Sequence, residues 1–157
     1  MKSVIYVLIL AVSLAAGSTV RADSTPAATP APADPALERY TAASTRQDWA
    51  AAAAAMREGL SRDAGNAEFH NLYAYALRKG QNPDMSLVFK HYNEALRIDS
   101  KHRGAHEYIG EAYLMVGNLA KAKEHLGALD KLCFFSCTEF SDLKKAIAEY
   151  EGRSVKR

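Results

Sequence analysis

Apolar side chains recur at helical spacing along most of the chain after residue 35, and short polar turns separate the apolar segments. Leu37 and Tyr40 are three residues apart, the run 49–60 is rich in alanine, and apolar residues at 140, 143, 147 and 150 form a single stripe. Alanine is the strongest helix former, and spacing of three and four residues places side chains on one helical face. The pattern therefore predicts an all-α protein.

Residues that end or start helices divide this pattern into seven predicted segments. Asp48 is placed to cap a helix, residues 63–66 and 80–84 are turn clusters, and Gly117-Asn118 ends another segment. Such residues tolerate left-handed backbone or form side-chain turns, and Pro83 suits a helix entry. The predicted helices are 37–44, 49–60, 67–79, 84–98, 104–116, 119–132 and a final one at 138–151.

The chain also repeats itself at a spacing of 36 residues. Glu58, Leu60 and Asp63 recur as residues 94, 96 and 99, and His70 and Ala74 recur as residues 106 and 110, the latter as glycine. A repeat of this length is the size of one helix-turn-helix unit, which cannot bury its apolar face alone and must stack on its neighbours. Stacks of this kind usually bind other chains.

The first 35 residues differ from the rest of the chain. Lys2, an apolar run at 4–16 and Val20-Arg21-Ala22 are typical of a secretory signal peptide that is cleaved after Ala22. The segment 23–35 holds four of the five prolines and is predicted to be a disordered linker. We therefore expect an exported protein, periplasmic or secreted, with no transmembrane anchor after cleavage, because the apolar run is shorter than the ~20 residues of a spanning helix.

Charge excludes two classes of partner. The chain has 20 Lys and Arg against 18 Asp and Glu, and two of the basic residues, Lys2 and Arg21, lie in the predicted signal peptide. The remainder is balanced, whereas nucleic acids and anionic membrane surfaces bind proteins through a basic excess. We expect neither as a partner.

The segment 105–129 resembles a tetratricopeptide repeat (TPR). Ile109-Gly110 stands at the Leu-Gly position of the family pattern, Tyr113 at its tyrosine, Gly117 at the inter-helix turn and Ala122 at the small residue of the second helix. Small residues at Gly110 and Ala122 are expected to let the two helices of the pair cross closely.

Two further segments resemble the same pattern less closely. Residues 67–99 match it with an inter-helix turn two residues longer than usual and with Val88 in place of alanine, and residues 48–63 look like the second helix of an earlier repeat. The resemblance implies a right-handed α-α superhelix of two and a half to three helix pairs plus a capping helix. Its predicted parts are a degenerate repeat at 36–66, repeats at 67–102 and 103–134, the cap at 138–151 and a tail at 152–157.

The resemblance also implies a binding surface, because the first helix of each TPR pair lines the concave face. Aromatic, arginine and methionine side chains there can supply contacts to a bound peptide or loop. The side chains that family geometry assigns to this face are Asn71, Tyr75, Arg78, Glu107, Tyr108, Glu111 and Met115. The clamp with which chaperone-tail-binding members hold a carboxylate is not met, since Gly104 and Tyr108 stand where it needs basic groups.

Cys133 and Cys137 lie between the last repeat and the cap. Export favours a disulfide that pins the cap, with an entropic gain of about 2 kcal/mol for so short a loop. An uninterrupted helix would strain this bridge, so the helix is expected to break there. The alternative is a redox or metal-binding pair, although the usual redox motif has two intervening residues.

Histidines supply the other candidate chemistry. His70 and His106 occupy equivalent repeat positions, where packing against the partner helix is the favoured interpretation. His102 and His106 are four residues apart and are compatible with a metal site that includes His91 or the cysteines, although His102 is expected to lie in a turn. The spacing alone is too common to indicate ligation, and we expect no metal or other cofactor.

The sequence has no nucleophile elbow, phosphate-binding glycine loop, zinc-protease motif or dinucleotide fingerprint, so we do not expect an enzyme. The favoured hypothesis is a non-catalytic adaptor that binds a protein or peptide of the cell envelope through its concave groove. A metal- or redox-handling accessory protein and a structural module that associates with itself remain the alternatives.

Overall fold

A computed structural model describes residues 34–135 and 137–154. The predicted signal peptide at 1–22, linker residues 23–33 and tail residues 155–157 lie outside this part of the chain. The described residues form seven α-helices and no strand. These are α1 (Pro35–Thr45), α2 (Trp49–Arg62), α3 (Ala67–Lys79), α4 (Met85–Ile98), α5 (Arg103–Met115), α6 (Leu119–Leu132) and α7 (Thr138–Ser154).

Side-chain caps set the starts of the first six helices. Asp48 accepts a hydrogen bond from the backbone N–H of Ala51, and Asn66 accepts one from Phe69. Such caps satisfy N–H groups that have no partner within the helix. The full set of capping residues is Asp34, Asp48, Asn66, Asp84, His102 and Asn118. α1 thus begins at Pro35, the last residue of the predicted linker, because proline fits a first helical turn.

The helices pair in sequence order, α1 with α2, α3 with α4, and α5 with α6, and each pair packs on the next. The buried core lies between these layers. One apolar cluster joins α1, α2 and α3 around Met56, a second joins α3, α4 and α5 around Tyr92, and a third joins α6 and α7 around Leu129 and Leu143. The stacked array predicted from the repeat is therefore confirmed, with α7 covering the last pair.

The longer turn predicted for the second repeat is also present. Residues 80–84 separate α3 from α4, whereas only residues 116–118 separate α5 from α6. The two extra residues include Asn82, whose φ of 50° lies in the left-handed region. Asparagine is one of the few residues other than glycine that adopts this conformation readily.

Gly110 corrects one expectation about packing. A Cβ placed on it would lie 2.6 Å from Cδ2 of Leu143, and the other nearest atoms also belong to Leu143. The close approach that Gly110 permits is therefore between α5 and α7 and not between the two helices of its own pair. The glycine is needed because Leu143 is fully buried against it.

None of the described helices is long and apolar enough to cross a membrane.

Candidate functional site

The first helices of the last two pairs and the cap form a continuous face, because α5 contacts both α3 and α7. We call this the α3–α5–α7 face. The seven predicted binding residues all lie on α3 or α5, but they differ in exposure. Asn71, Arg78 and Glu107 are buried, Tyr75, Tyr108 and Glu111 are half-buried, and Met115 is exposed.

Arg78 is held by neighbours on three sides. Its Nη2 lies 2.6 Å from Oε2 of Glu111, its Nε–H donates to the hydroxyl of Tyr92 at 3.3 Å, and its Nη1 is 3.9 Å from the sulfur of Met115. A buried guanidinium needs such partners because an unpaired buried charge is strongly destabilising. Arg78 therefore ties α3 to α4 and α5, and only 8% of it is exposed for contact with another molecule.

Half-buried aromatic rings form a row from α2 across α3 to α5. The ring of Trp49 meets Tyr75 edge-on at 5.7 Å between centroids, and Tyr75 meets Tyr108 at 4.6 Å. The Arg78 guanidinium lies 5.2 Å from the Tyr75 centroid, and the Lys79 ammonium lies 5.7 Å from that of Trp49. We call Trp49, Tyr75 and Tyr108 the aromatic row. Its rings are held in place by one another and by two cations.

An acidic cleft continues the face toward α7. Its volume is about 250 Å³, and we call it the Glu107 cleft. It is lined by Glu107, Glu111, Asp142, Lys145, Ala146 and Glu149. Burial, and after it the nearby carboxylates of Glu111, Asp142 and Glu139, raise the pKa of Glu107 to about 7, against a lowering by Arg78. The Glu107 carboxyl group is thus partly protonated near neutral pH.

Asn71 occupies the repeat position that corresponds to Glu107, 36 residues earlier. It is 2% exposed, and its Nδ2 lies 3.4 Å from Oε2 of Glu68. Its Oδ1 is buried without a hydrogen-bond partner among the described residues. Both repeats therefore place a buried polar side chain at the same point of the α3–α5–α7 face.

The histidines form two equivalent pairs within the helix pairs. His70 Nδ1 lies 2.8 Å from His91 Nδ1, and His106 Nδ1 lies 3.0 Å from His125 Nδ1. The Nε2 atoms of His70 and His106 face the backbone carbonyls of residues 64 and 100, which only accept hydrogen bonds. His70 and His106 therefore carry their proton on Nε2, and each accepts at Nδ1 from its partner histidine. Packing against the partner helix, the favoured interpretation, is confirmed.

The metal site considered from His102 and His106 is not assembled. His102 caps α5 through Nδ1, and its Nε2 lies 2.8 Å from Oε2 of Glu68. His106 instead faces His125. No group of three or more His, Cys, Asp or Glu in the described ranges is arranged to hold a metal ion.

The sulfurs of Cys133 and Cys137 lie at disulfide-bonding distance. The helix breaks between them as predicted, because α6 ends at Leu132 and α7 begins at Thr138. The intervening Phe134 and Phe135 are 97% and 87% exposed. The bridge joins the last repeat to the cap that carries one wall of the Glu107 cleft.

Sequence reasoning missed three parts of this arrangement. It did not place Trp49 in the aromatic row, did not assign Asp142 and Glu149 to the binding face, and did not pair the histidines. The pairs did leave a signal, because His91 and His125 are 34 residues apart, close to the spacing of His70 and His106. Asp142 and Glu149 left no such signal in the sequence, because their position on the face depends on how α7 packs on α5.

No family model matches the chain, and the comparison with curated proteins finds no match. Solved structures do match, and 33 chains are similar. One is the complex of the TPR2B domain of yeast Sti1 with pHsp70, which aligns with a TM-score of 0.67 at 20% identity over 75% of this chain and 94% of that chain.

The stacked helix pairs and their capping helix define a helical-repeat protein. More specifically, the fold is TPR-like, as the resemblance of residues 105–129 predicted.

Proposed function

We propose that this chain is a non-catalytic adaptor of the cell envelope that binds a protein or peptide through its α3–α5–α7 face. The observation that carries the proposal is the aromatic row with its cations. Tyrosine, tryptophan and arginine dominate the binding energy of protein interfaces. Because these side chains are held before binding, little conformational entropy remains to be lost when a partner docks.

The fold supports the same proposal. In a TPR-like array the first helices line the inner face, so α3 and α5 present their exposed side chains to one groove. The similar TPR2B domain was solved in a complex with pHsp70. The partner of the present chain is expected to differ in chemistry, because Gly104 and Tyr108 replace the basic groups of a carboxylate clamp and the Glu107 cleft is acidic.

Site-specific photo-crosslinking in the producing cells tests this function. A benzoylphenylalanine at Met115, which is 53% exposed on α5, is expected to form an adduct with another protein. The same residue at Lys90, exposed on the second helix α4, is the matched control and is expected to form much less. A second copy of this chain as partner would give an adduct of twice the chain mass. Adducts at Lys90 but not at Met115 would contradict the proposal.

The envelope location is supported by the signal-peptide pattern at 1–22. N-terminal sequencing of the protein from fractionated cells is expected to begin at Asp23 and to find it outside the cytoplasm. A chain that begins at Met1 in the cytoplasmic fraction would contradict export while leaving the binding face untouched.

A further inference from the structure

Glu107 is a buried residue whose carboxyl group lines the cleft without a hydrogen-bond or ion-pair partner among the described residues. Only 7% of the residue is exposed, yet its side chain makes no hydrogen bond or ion pair within the described part of the chain. Its carboxyl group lines the cleft between α5 and α7. Burying an acidic group in this way costs free energy unless a partner compensates it. The arrangement therefore points to a ligand group that Glu107 meets in a complex.

The charges that neighbour Glu107 indicate whether the ligand group is positively or negatively charged. Asp142 and Glu149 also line the cleft and form no ion pair among the residues that the structure describes, while Glu111 is paired with Arg78. Lys145 is exposed at the rim and lies more than 4 Å from every described carboxylate. Three unpaired carboxyl groups therefore face one cleft whose lining includes one exposed lysine.

The geometry distinguishes between an inorganic and an organic cation. The acids of the cleft are not arranged as a set of three or more metal ligands within the described ranges. A cavity of about 250 Å³ is also large enough for a side chain. A second cavity of about 230 Å³ adjoins the cleft and shares Glu111, Ala146 and Glu149 with it. Its lining adds the guanidinium groups of Arg78 and Arg153 and the apolar wall of Leu114. A long aliphatic stem can lie along such a wall while its charged end reaches a carboxylate.

We propose that the Glu107 cleft receives a lysine or arginine side chain from an extended segment of the partner, with Glu107 as its deepest acceptor. This inference rests on the proposed binding function and specifies its partner. The chemistry is opposite to that of a clamp for a carboxylate.

Continuity with the aromatic row argues for a protein segment as the source of the cation. Arg78 lies 5.9 Å from the ring centroid of Tyr108 and is bonded to Glu111, which lines the cleft. The row and the cleft are therefore two parts of one surface. A segment whose backbone follows the row can place one basic side chain in the cleft, whereas a free polyamine would use only the cleft.

Binding is expected to release a proton. The bound cation favours the ionised form of Glu107, whose pKa burial raises to about 7 in the free protein. The other charged groups facing Glu107 from the three helices are Arg78, Glu111, Glu139, Asp142, Lys145 and Glu149. Affinity should therefore rise about tenfold between pH 6 and pH 8 through Glu107 alone.

The test is an amide chemical-shift titration of the purified full chain with two capped pentapeptides, Ala-Ala-Arg-Ala-Ala and its citrulline counterpart. Citrulline has nearly the shape of arginine without its charge. The arginine peptide is expected to shift the amides of residues 107, 146 and 149 to saturation, and the citrulline peptide to bind at least about tenfold more weakly. Equal binding of the two peptides, or shifts elsewhere only, would overturn the proposal.

Two variants give the matched controls. Glu107→Gln keeps the shape of the side chain, and it should weaken the arginine peptide about tenfold at pH 8 and remove the pH dependence. Glu124→Gln removes an exposed carboxylate on α6, outside the cleft, and should leave binding unchanged. Unaltered binding in Glu107→Gln, in a variant whose other amide shifts show the parent fold, would refute the role of Glu107.

Spermidine is the third probe, because it supplies the cation without a peptide backbone. Saturation of the cleft amides by spermidine without saturation by the arginine peptide would show a polyamine site and would refute the protein segment. The two proposals also fail separately. Crosslinking at Met115 without peptide binding refutes this inference alone, whereas peptide binding without crosslinking refutes the proposed function in cells.

Discussion

Two glycines in neighbouring helices, Gly110 of α5 and Gly127 of α6, differ in the space that is available for a Cβ atom. A Cβ on Gly110 would clash with Leu143, whereas a Cβ on Gly127 would meet nothing within 4 Å. Gly110→Ala should lower the free energy of unfolding by about 1–3 kcal/mol through overpacking. Gly127→Ala should raise it by about 0.5–1 kcal/mol, because alanine stabilises a helix interior. Urea denaturation of both variants checks the pair, and equal effects would contradict the close contact of α5 with α7.

The raised pKa of Glu107 also predicts how the stability of the fold changes with pH. Its pKa is raised in the folded protein to about 7, so the unfolded chain ionises this carboxyl group first as the pH rises above about 4.5. Folding free energy is therefore lost between these pH values. Glu107→Gln should be more stable than the parent at pH 7.5 by about 1 kcal/mol, a value reduced for screening by water in the cleft. Thermal unfolding of the parent and the variant at pH 4.5 and at pH 7.5 measures this difference in stability. A variant less stable than the parent at pH 7.5 would contradict an unpaired carboxyl group at Glu107.

The two histidine pairs make stability depend on pH in the opposite direction to Glu107. Burial, and after it the charges of the partner histidine and of a nearby lysine, lower the pKa of His91 and of His125 to about 4, against a raising by a nearby glutamate. These groups contribute stability that is present above pH 6.5 and is lost as the pH falls toward 4, because the unfolded chain binds the protons first. Replacing both His91 and His125 by Gln should flatten the fall in stability over this range. Urea denaturation between pH 7 and pH 4 measures the slope, and an unchanged slope would contradict the pairing.

At the level of single residues, sequence reasoning placed side chains on the correct helices but not at the correct depth. Arg78 was expected to face a partner and is instead buried by Tyr92 and Glu111, which are 14 and 33 residues away. How deeply a side chain is buried depends on these distant neighbours, and helical periodicity carries no information about them. The repeat spacing did contain the equivalence of Asn71 with Glu107.

The positions of the helices along the chain were the most predictable part of the structure. The boundaries of α3 and α6 are those expected, and the others differ by one to three residues at one end or at both ends. The reason is local, since capping side chains such as Asp48, Asn66 and Asn118 determine where a helix starts. The extra length of the turn 80–84 could also be predicted, because it is a difference in residue count.

The link between α6 and α7 gives a prediction at the level of the element. Cys133 and Cys137 close a loop so short that chain entropy contributes little, so replacing both by alanine should cost about 2 kcal/mol or less. Helix α7 should remain folded, because Leu143 and Ile147 are buried on α5 and α6. Urea denaturation with circular dichroism checks this. Loss of about one sixth of the helical signal under native conditions, the share of the 17-residue α7, would show that the bridge, and not packing, holds the cap.

On the scale of the whole molecule, the stack itself was predictable and its surface was only partly so. A repeat of 36 residues with two helical segments requires neighbours to bury its apolar face, and this determines the order of packing. The Glu107 cleft depends on how one cap helix sits against α5, a contact that occurs once in the chain and leaves no repeated signal. Binding is thus the general expectation from the fold, and the acidic Glu107 cleft is a feature of this particular array.

The affinity of the partner captured at Met115 tests the central claim most directly. Isothermal titration with the purified chain should show that Tyr75→Ala or Tyr108→Ala weakens binding at least about tenfold, as expected for residues at the centre of an interface. The control variants Lys90→Ala and Glu124→Ala, exposed on α4 and α6, should change it less than about twofold. Parent affinity in both tyrosine variants, together with losses in the controls, would contradict binding through the α3–α5–α7 face.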